Sequence, residues 1–328
     1  MFDEFEEYME YLEYLEYLEY LEDLEYLEEI RPKRIQKRYI RDAENPMEFL
    51  NCQEFRARYR FEKDTVANII LPIVSAALKK PDDNRGLPIP PILQLLICLR
   101  FYAACNFQVT SSDFPGVSQP KISVIVKRVS ILIAERLGDF IHFPRTADGL
   151  QSNITKFYEV AHLPNVSGCI GCVHIKIKNP GGKTREAFRN RKGFFSVKVQ
   201  VVSGPRREIL DIVVRHPGSS HDNVIFDRSA LRVRMERGNI PGVLIGGRIY
   251  ARKHYLRTPV LRPGTDEEIR YNEAHVTTRN VIEKLFETWK KRFPCLEQGL
   301  NTKLQTSLAI ICATAVLHNI GLRENGDF

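Results

Sequence analysis

The order of strand and helix patterns in the second half of the chain constrains its fold more than any other feature. Three consecutive runs rich in β-branched residues predict strands at residues 168–178, 194–203 and 208–216. A hairpin turn that begins at Gly204 separates the last two runs. Helix, strand, helix and helix patterns follow at about residues 222–237, 242–246, 273–292 and 302–322. Three antiparallel strands followed by this alternation predict a mixed α/β sheet flanked by helices.

Residues 47–145 have a helical pattern, which predicts an all-α domain before the sheet. Within it, Ser118 is a good N-cap residue and Pro120 is tolerated in the first turn of the helix that follows. The spacing of that helix turns three basic side chains towards solvent: Lys121, Lys127 and Arg128. A short turn that leads into a capped basic helix is typical of a helix-turn-helix recognition element, so these side chains are candidate nucleic-acid contacts. A capped amphipathic helix of a plain scaffold has the same pattern.

The charge of the chain is divided sharply along its length. Residues 1–30 carry 13 acidic side chains and no basic one. The rest of the chain therefore sets 48 Lys and Arg residues against 28 of the 41 acids, a formal net charge of +20. A body this basic suits a polyanion, because each phosphate that it neutralises releases condensed counterions. We expect DNA as a partner; a solvated basic surface is the plainer interpretation.

The N-terminal segment, residues 1–30, is an acidic repeat of Tyr-Leu-Glu. Its period of three does not match the 3.6 residues of a helical turn, so no single apolar face forms and the segment is expected to be helical or disordered. A basic linker at residues 31–46 follows, with six Lys and Arg residues between positions 31 and 41. Such a run contacts phosphate, serves as a nuclear import signal, or simply pairs with the acidic repeat. The nucleus is the expected location.

Neither the cysteines nor the apolar segments indicate a secreted or membrane protein. The seven cysteines have no framework spacing, which favours a reducing compartment. Cys169 and Cys172 supply only two of the four ligands of a structural zinc, so core packing is the better interpretation. The most apolar stretch, residues 307–322, is short for a membrane span and is expected to be a buried helix. We expect no membrane partner.

Three motifs carry a resemblance to a known family. They are Gly-Cys-Ile-Gly-Cys-Val-His-Ile-Lys-Ile at residues 168–177, His-Pro-Gly-Ser-Ser-His-Asp-Asn at 216–223, and Tyr-Asn-Glu-Ala-His with Arg-Asn-Val-Ile-Glu-Lys-Leu-Phe within 271–286. Together they resemble the Harbinger-type transposases and the nucleases derived from them, over residues 47–328. The resemblance implies an RNase H-like DDE transposase-type domain at residues 146–328, preceded by a helix-turn-helix-containing domain at 47–145.

The same resemblance implies a metal site that this chain has lost in part. The family cleaves phosphodiesters with Mg²⁺ or Mn²⁺ held by carboxylates. Its pattern assigns those acids to the positions of Gly171, Gly247, Glu283 and Asp222, and glycine cannot ligate a metal. Lys198 also stands where the family often has Asn. We therefore expect metal binding to be lost or weak.

Two acids survive as candidate catalytic and metal-ligand residues, Asp222 and Glu283. Each also has a structural interpretation: Asp222 as part of a helix cap, and Glu283 as the ion-pair partner of Arg279, four residues earlier. The sequence thus leaves three hypotheses. The first is a nuclear DNA-binding or adaptor protein without cleavage. The second is a metal-dependent nuclease that uses Asp222, Glu283 and a third acid. The third is a scaffold that works with a Myb-like DNA-binding partner, as the resemblance implies.

Overall fold

The computed structural model describes residues 45–78 and 89–325. These residues lie within one compact unit formed by Arg41–Asp83 and Pro88–Phe328. The acidic repeat at 1–30 and nearly all of the basic linker at 31–46 lie outside the described residues. The predicted division between residues 145 and 146 stays a prediction.

The first part of the described chain is helical, as predicted. Its helices are α1 (Pro46–Phe49), α2 (Cys52–Tyr59), α3 (Lys63–Thr65), α4 (Leu71–Leu78), α5 (Pro91–Ala104), α6 (Phe107–Asp113), α7 (Gln119–Ala134), α8 (Leu137–Phe140) and α9 (Ala147–Ala161), and a π-helical turn (Val66–Ile70) joins α3 to α4. Helix α5 is apolar on most of its surface and is buried between its neighbours. It packs against α7, where the Tyr102 hydroxyl lies 2.6 Å from that of Ser130.

A five-stranded mixed sheet forms the second part. Its strands are β1 (Val166–Lys176), β2 (Ser196–Ser203), β3 (Ile209–Pro217), β4 (Val243–Gly246) and β5 (Leu256–Arg257). Their order across the sheet is β3-β2-β1-β4-β5. Strands β1, β2 and β3 pair antiparallel, whereas β4 runs parallel to both β1 and β5. This is the RNase H-like arrangement that the resemblance implies, so the predicted fold class is confirmed.

Helices cover both faces of the sheet. They are α10 (Asp222–Asp227), α11 (Ala230–Glu236), α12 (Asp266–Arg292), α13 (Cys295–Gln298) and α14 (Leu304–Asn325). On one face, Ile170 of β1 belongs to a buried cluster that includes Phe226 of α10 and Leu231 of α11. On the other face, Cys169 donates to the Thr278 carbonyl of α12 at 3.3 Å. Alternate residues of β1 therefore face different helices, because successive side chains of a strand point in opposite directions.

Three details differ from the sequence-based prediction, the first being that α12 begins at Asp266 and not at about residue 273. The single helix expected at residues 222–237 is two helices, and Ser229 begins the second by accepting from the Arg232 amide at 3.2 Å. Strand β5 was not predicted, because two residues are too few to give an alternating pattern.

The apolar C-terminal helix runs from Leu304 to Asn325, close to the predicted range of about residues 302–322. Its segment Leu304–Glu324 is long and apolar enough to cross a membrane by length and composition, but 72% of its most apolar window is buried inside the protein. It packs against α7 and β3. These contacts are those of a core helix that joins the helical part of the unit to the sheet.

Candidate functional site

The two glycines at family acid positions face the part of α12 that carries Glu283. A Cβ atom on Gly171 would lie 3.4 Å from Phe286 Cε2 and 3.5 Å from Ile282 Cγ1. A Cβ atom on Gly247 would lie 3.4 Å from Arg279 Nε. Strand β1, the end of β4 and helix α12 thus bring three of the four family positions together, although only one of them keeps its carboxylate.

Arg279 occupies the space next to Gly247. Its Nη2 lies 2.5 Å from Glu283 Oε1, which is the i, i+4 ion pair expected from the sequence. The two side chains are only partly exposed, at 35% and 45%. The guanidinium therefore neutralises the carboxylate at the place where a metal ion would have to bind it.

Asp222, the second surviving acid, is paired with a lysine from the sheet. Lys198 Nζ lies 2.5 Å from Asp222 Oδ1 and donates to the Ser220 carbonyl at 2.8 Å. The lysine and aspartate side chains are 13% and 11% exposed, so this ion pair is largely shielded from water. The N-cap of α10 is His221 rather than Asp222, which is the first helical residue. The sequence suggested that Asp222 is part of the helix cap; in the structure it is the first residue of the helix, directly after the N-cap.

Both acids line a cleft with a volume of about 890 Å³. Two histidines also line it, and burial together with the positive charge of Lys198 lowers the pKa of His174. The ring of His174 lies 3.0 Å from the Ser196 hydroxyl.

Burial and the nearby Asp222 carboxylate raise the pKa of the Cys172 thiol to about 12, so it is present as a thiol. A thiol is neither a metal ligand nor a nucleophile of any strength.

The residues around the cleft do not fit a pair of divalent metal ions. Within residues 45–78 and 89–325, no group of three or more His, Cys, Asp and Glu side chains is placed to hold a metal. The third acid that the nuclease hypothesis requires therefore does not join Asp222 and Glu283 in the described part of the chain. Each of the two acids instead has a basic side chain at 2.5 Å. No catalytic step through a metal follows from this arrangement.

The basic residues predicted to contact nucleic acid lie on α7. A turn at residues 114–118 connects α6 to α7, and Ser118 occupies the N-cap position without a side-chain capping hydrogen bond. Lys121 is exposed, whereas Lys127 and Arg128 are half-buried. Arg128 donates to the Ala77 carbonyl at the end of α4. Contact of α7 with DNA stays a prediction, in which Lys121 is the residue presented most fully to solvent.

Sequence reasoning missed two features of the cleft. The first is the pairing of Lys198 with Asp222, whose only signal was a lysine in place of the usual family asparagine. The second is the basic segment at residues 176–192 between β1 and β2, which carries seven Lys and Arg residues and one acid. A count of charges along that segment shows it directly.

Comparison with known proteins places this site in a family. Residues 170–319 match the family model described as DDE superfamily endonuclease. The protein named "Putative nuclease HARBI1" from Bos taurus is 35% identical over 262 residues, which cover 79% of this chain and 74% of that protein. Its Homo sapiens counterpart is 34% identical with the same coverage. This chain belongs to the Harbinger transposase-derived nuclease family. A more distant match is "Protein ALP1-like" from Arabidopsis thaliana, at 22% identity over 81% of this chain and 70% of that protein. No solved structure matches.

Membership of the Harbinger-derived family carries an expectation about cofactors. DDE superfamily endonucleases generally depend on divalent metal ions. This chain has the expected fold, and of the four positions that the resemblance assigns to family acids only Asp222 and Glu283 carry a carboxylate.

Proposed function

We propose that this chain is a nuclear Harbinger-derived protein that binds DNA or acts as an adaptor and does not cleave phosphodiesters. One observation carries the proposal: both surviving acids, Asp222 and Glu283, are neutralised by a basic side chain at 2.5 Å. A divalent ion would have to displace Lys198 and Arg279, and within residues 45–78 and 89–325 no third ligand is placed to hold it together with Asp222 and Glu283. Mutating a residue that only supports a metal ligand typically lowers metal affinity 10–100-fold. Losing half of the ligands themselves should lower metal affinity far more.

The net charge supports nucleic acid as the partner. Outside residues 1–30 the formal charge is +20. The basic run at residues 31–41 supports nuclear location, and the exposed Lys121 on α7 supports a helix-turn-helix role for that region. In the adaptor form of the proposal, a Myb-like protein supplies sequence recognition, and this chain on its own binds DNA with little sequence preference.

A combined cleavage and binding experiment tests the proposal. The purified chain is incubated with supercoiled plasmid and either Mg²⁺ or Mn²⁺, and binding to a labelled duplex is measured by fluorescence anisotropy. We expect DNA binding with no nicking above a no-protein control. Nicking that disappears in Asp222→Asn and Glu283→Gln variants contradicts the proposal and favours the metal-dependent nuclease. Absence of both nicking and binding leaves the adaptor form, which then requires co-purification with a DNA-binding partner.

A further inference from the structure

The side-chain charges at the site have the same balance as a metal-loaded site. Four family carboxylates with two divalent ions sum to zero charge. Here the glycines at 171 and 247 remove two carboxylates, and Lys198 and Arg279 bring two positive charges to the two acids that remain. Two negative and two positive charges again sum to zero, without any metal. An incoming phosphate therefore meets a site that is already neutralised by the protein.

The walls of the cleft add positive charge beyond this balance. Four further cations line it: Arg191, Lys192, Lys290 and Lys291. Two further carboxylates, Glu287 and Glu297, line it as well. His221 is held by Arg191, whose Nη2 lies 3.2 Å from its Nδ1. When the Lys198–Asp222 and Arg279–Glu283 ion pairs are set aside, the residues that line the cleft carry four positive charges and two negative charges.

The basic segment at residues 176–192 extends this positive wall. Glu186 is its one acid, and all seven of its basic side chains are exposed: Lys176, Lys178, Lys183, Arg185, Arg189, Arg191 and Lys192. The last two line the cleft itself. The end of α12, with Lys290 and Lys291, provides the other basic wall. A groove between two basic walls is suited to a phosphate backbone, because counterion release increases with the number of phosphates contacted.

We propose that the cleft binds the sugar–phosphate backbone of DNA without a divalent metal ion, with Lys198 and Arg279 supplying the neutralising charge that metal ions supply elsewhere in the family. The inference rests on the proposed function, since it assumes a site that does not cleave. It goes further by placing DNA in the cleft as well as at α7. It also makes DNA binding independent of Mg²⁺.

Anisotropy of a labelled duplex, measured in EDTA and in Mg²⁺, tests the inference. The cleft variant carries Arg191→Gln, Lys192→Gln, Lys290→Gln and Lys291→Gln. Its matched control replaces four exposed arginines outside the cleft by glutamine: Arg237, Arg252, Arg262 and Arg270. We expect wild-type binding to be the same in both buffers. The cleft variant should bind at least about tenfold more weakly, with a salt slope smaller by about 0.9 for each phosphate that it no longer neutralises. The control variant should have a DNA affinity much closer to that of the wild type than the cleft variant has. Thermal melts should show that both variants fold.

A single variant and a double variant test whether Arg279 supplies charge in place of a metal ion. Arg279→Gln leaves the Glu283 carboxylate without its cation, so binding in EDTA should weaken several-fold. The double variant Arg279→Gln/Glu283→Gln restores the charge balance and should recover most of the lost affinity. Equal affinities of the single and double variants would contradict this role of Arg279.

The remaining outcomes separate this inference from the proposed function. DNA binding that requires Mg²⁺ overturns the inference. If the cleft variant binds like the wild type while Lys121→Glu weakens binding, the inference fails and DNA binding through α7 stands. If the wild-type chain binds no DNA in either buffer, the DNA-binding form of the proposed function fails together with the inference.

Discussion

Lys198 and Asp222 form a shielded ion pair, with Nζ 2.5 Å from Oδ1, at a position where the family pattern places a metal-ligating acid. The lysine reaches Asp222 from β2 and the aspartate lies in the first turn of α10. The ammonium group of Lys198 occupies the Asp222 carboxylate oxygen that a metal ion would otherwise contact. In this structure the acid is therefore an ion-pair partner of Lys198.

The first prediction concerns the stability of this pair. Lys198→Met should lower the free energy of unfolding by about 3 kcal/mol, because it leaves a largely buried carboxylate without a cation. The double variant Lys198→Met/Asp222→Asn should recover part of that loss. Urea unfolding followed by the fluorescence of Trp289, the single tryptophan and fully buried, measures both. Lys183→Met, in the exposed segment, is the control. Equal stabilities of Lys198→Met and this control would contradict the account.

The second prediction separates binding from folding on α7. Lys121 is exposed, so Lys121→Glu should weaken DNA binding and lower the salt slope by about 0.9 without changing the melting temperature. Arg128 donates to the Ala77 carbonyl, so Arg128→Glu should lower the melting temperature as well. Anisotropy and thermal melts of the two variants measure this difference. Unchanged binding by Lys121→Glu would remove α7 from the DNA-binding surface.

The third prediction concerns the approach of α14 to α12. A Cβ atom on Gly321 would overlap the guanidinium of Arg292, which is 1% exposed and donates to the His318 carbonyl at 3.4 Å. Gly321→Ala should therefore destabilise the protein by about 1–3 kcal/mol. A Cβ atom on Gly138 would meet nothing within 4 Å, so Gly138→Ala is the matched control and should be close to neutral. Urea unfolding distinguishes the two, and equal effects would show that Arg292 moves aside without cost.

The fourth prediction concerns pH. Burial lowers the pKa of His318 to about 4, and its Nε2 donates to the Arg207 carbonyl at 3.0 Å. The unfolded chain takes up this proton near the ordinary value of 6.5, so the stability contributed by neutral His318 is complete above pH 6.5 and is lost as the pH falls towards 4. Partial burial also lowers the pKa of His216 to about 4, so His216 adds to the loss of stability at low pH. Burial raises the pKa of Asp211 to about 6, which opposes the trend because the folded state binds that proton more tightly.

Urea titrations between pH 7 and pH 4 measure this dependence. The wild type should lose stability on acidification, and His318→Gln should show a shallower loss because its side chain no longer titrates. Asp211→Asn, which removes the opposing contribution, should make the loss steeper. The same pH dependence in His318→Gln and the wild type would contradict the assignment to His318.

The arrangement of the fold follows from local sequence patterns, which is why it could be predicted. The runs that became β1, β2 and β3 alternate or are continuously apolar, and their boundaries were placed within two residues of those observed. The break between α10 and α11 was not visible, because residues 222–237 keep a helical periodicity and only the Ser229 capping hydrogen bond marks the new start. The two residues of β5 pair with β4 through tertiary contact rather than through their own pattern.

The candidate site was predictable in part. The pairing of Arg279 with Glu283 follows from helical spacing alone. The pairing of Lys198 with Asp222 joins a strand to a helix, and the distance between two such elements depends on the packing of the whole sheet. For the same reason, the position of Arg279 beside Gly247 could not be read from spacing, since it depends on how α12 crosses the end of β4.

Isothermal titration calorimetry with Mn²⁺ tests the central claim most directly. The wild-type chain is compared with a variant that restores the two acids and removes the two cations: Gly171→Asp, Gly247→Asp, Lys198→Asn and Arg279→Gln. The space at both glycines admits a Cβ atom at 3.4 Å or more from its neighbours, so neither substitution forces the new Cβ into a clash. We expect no binding heat from the wild type and clear binding by the variant. Tight binding of Mn²⁺ by the wild type would contradict the account and would favour a metal-dependent nuclease.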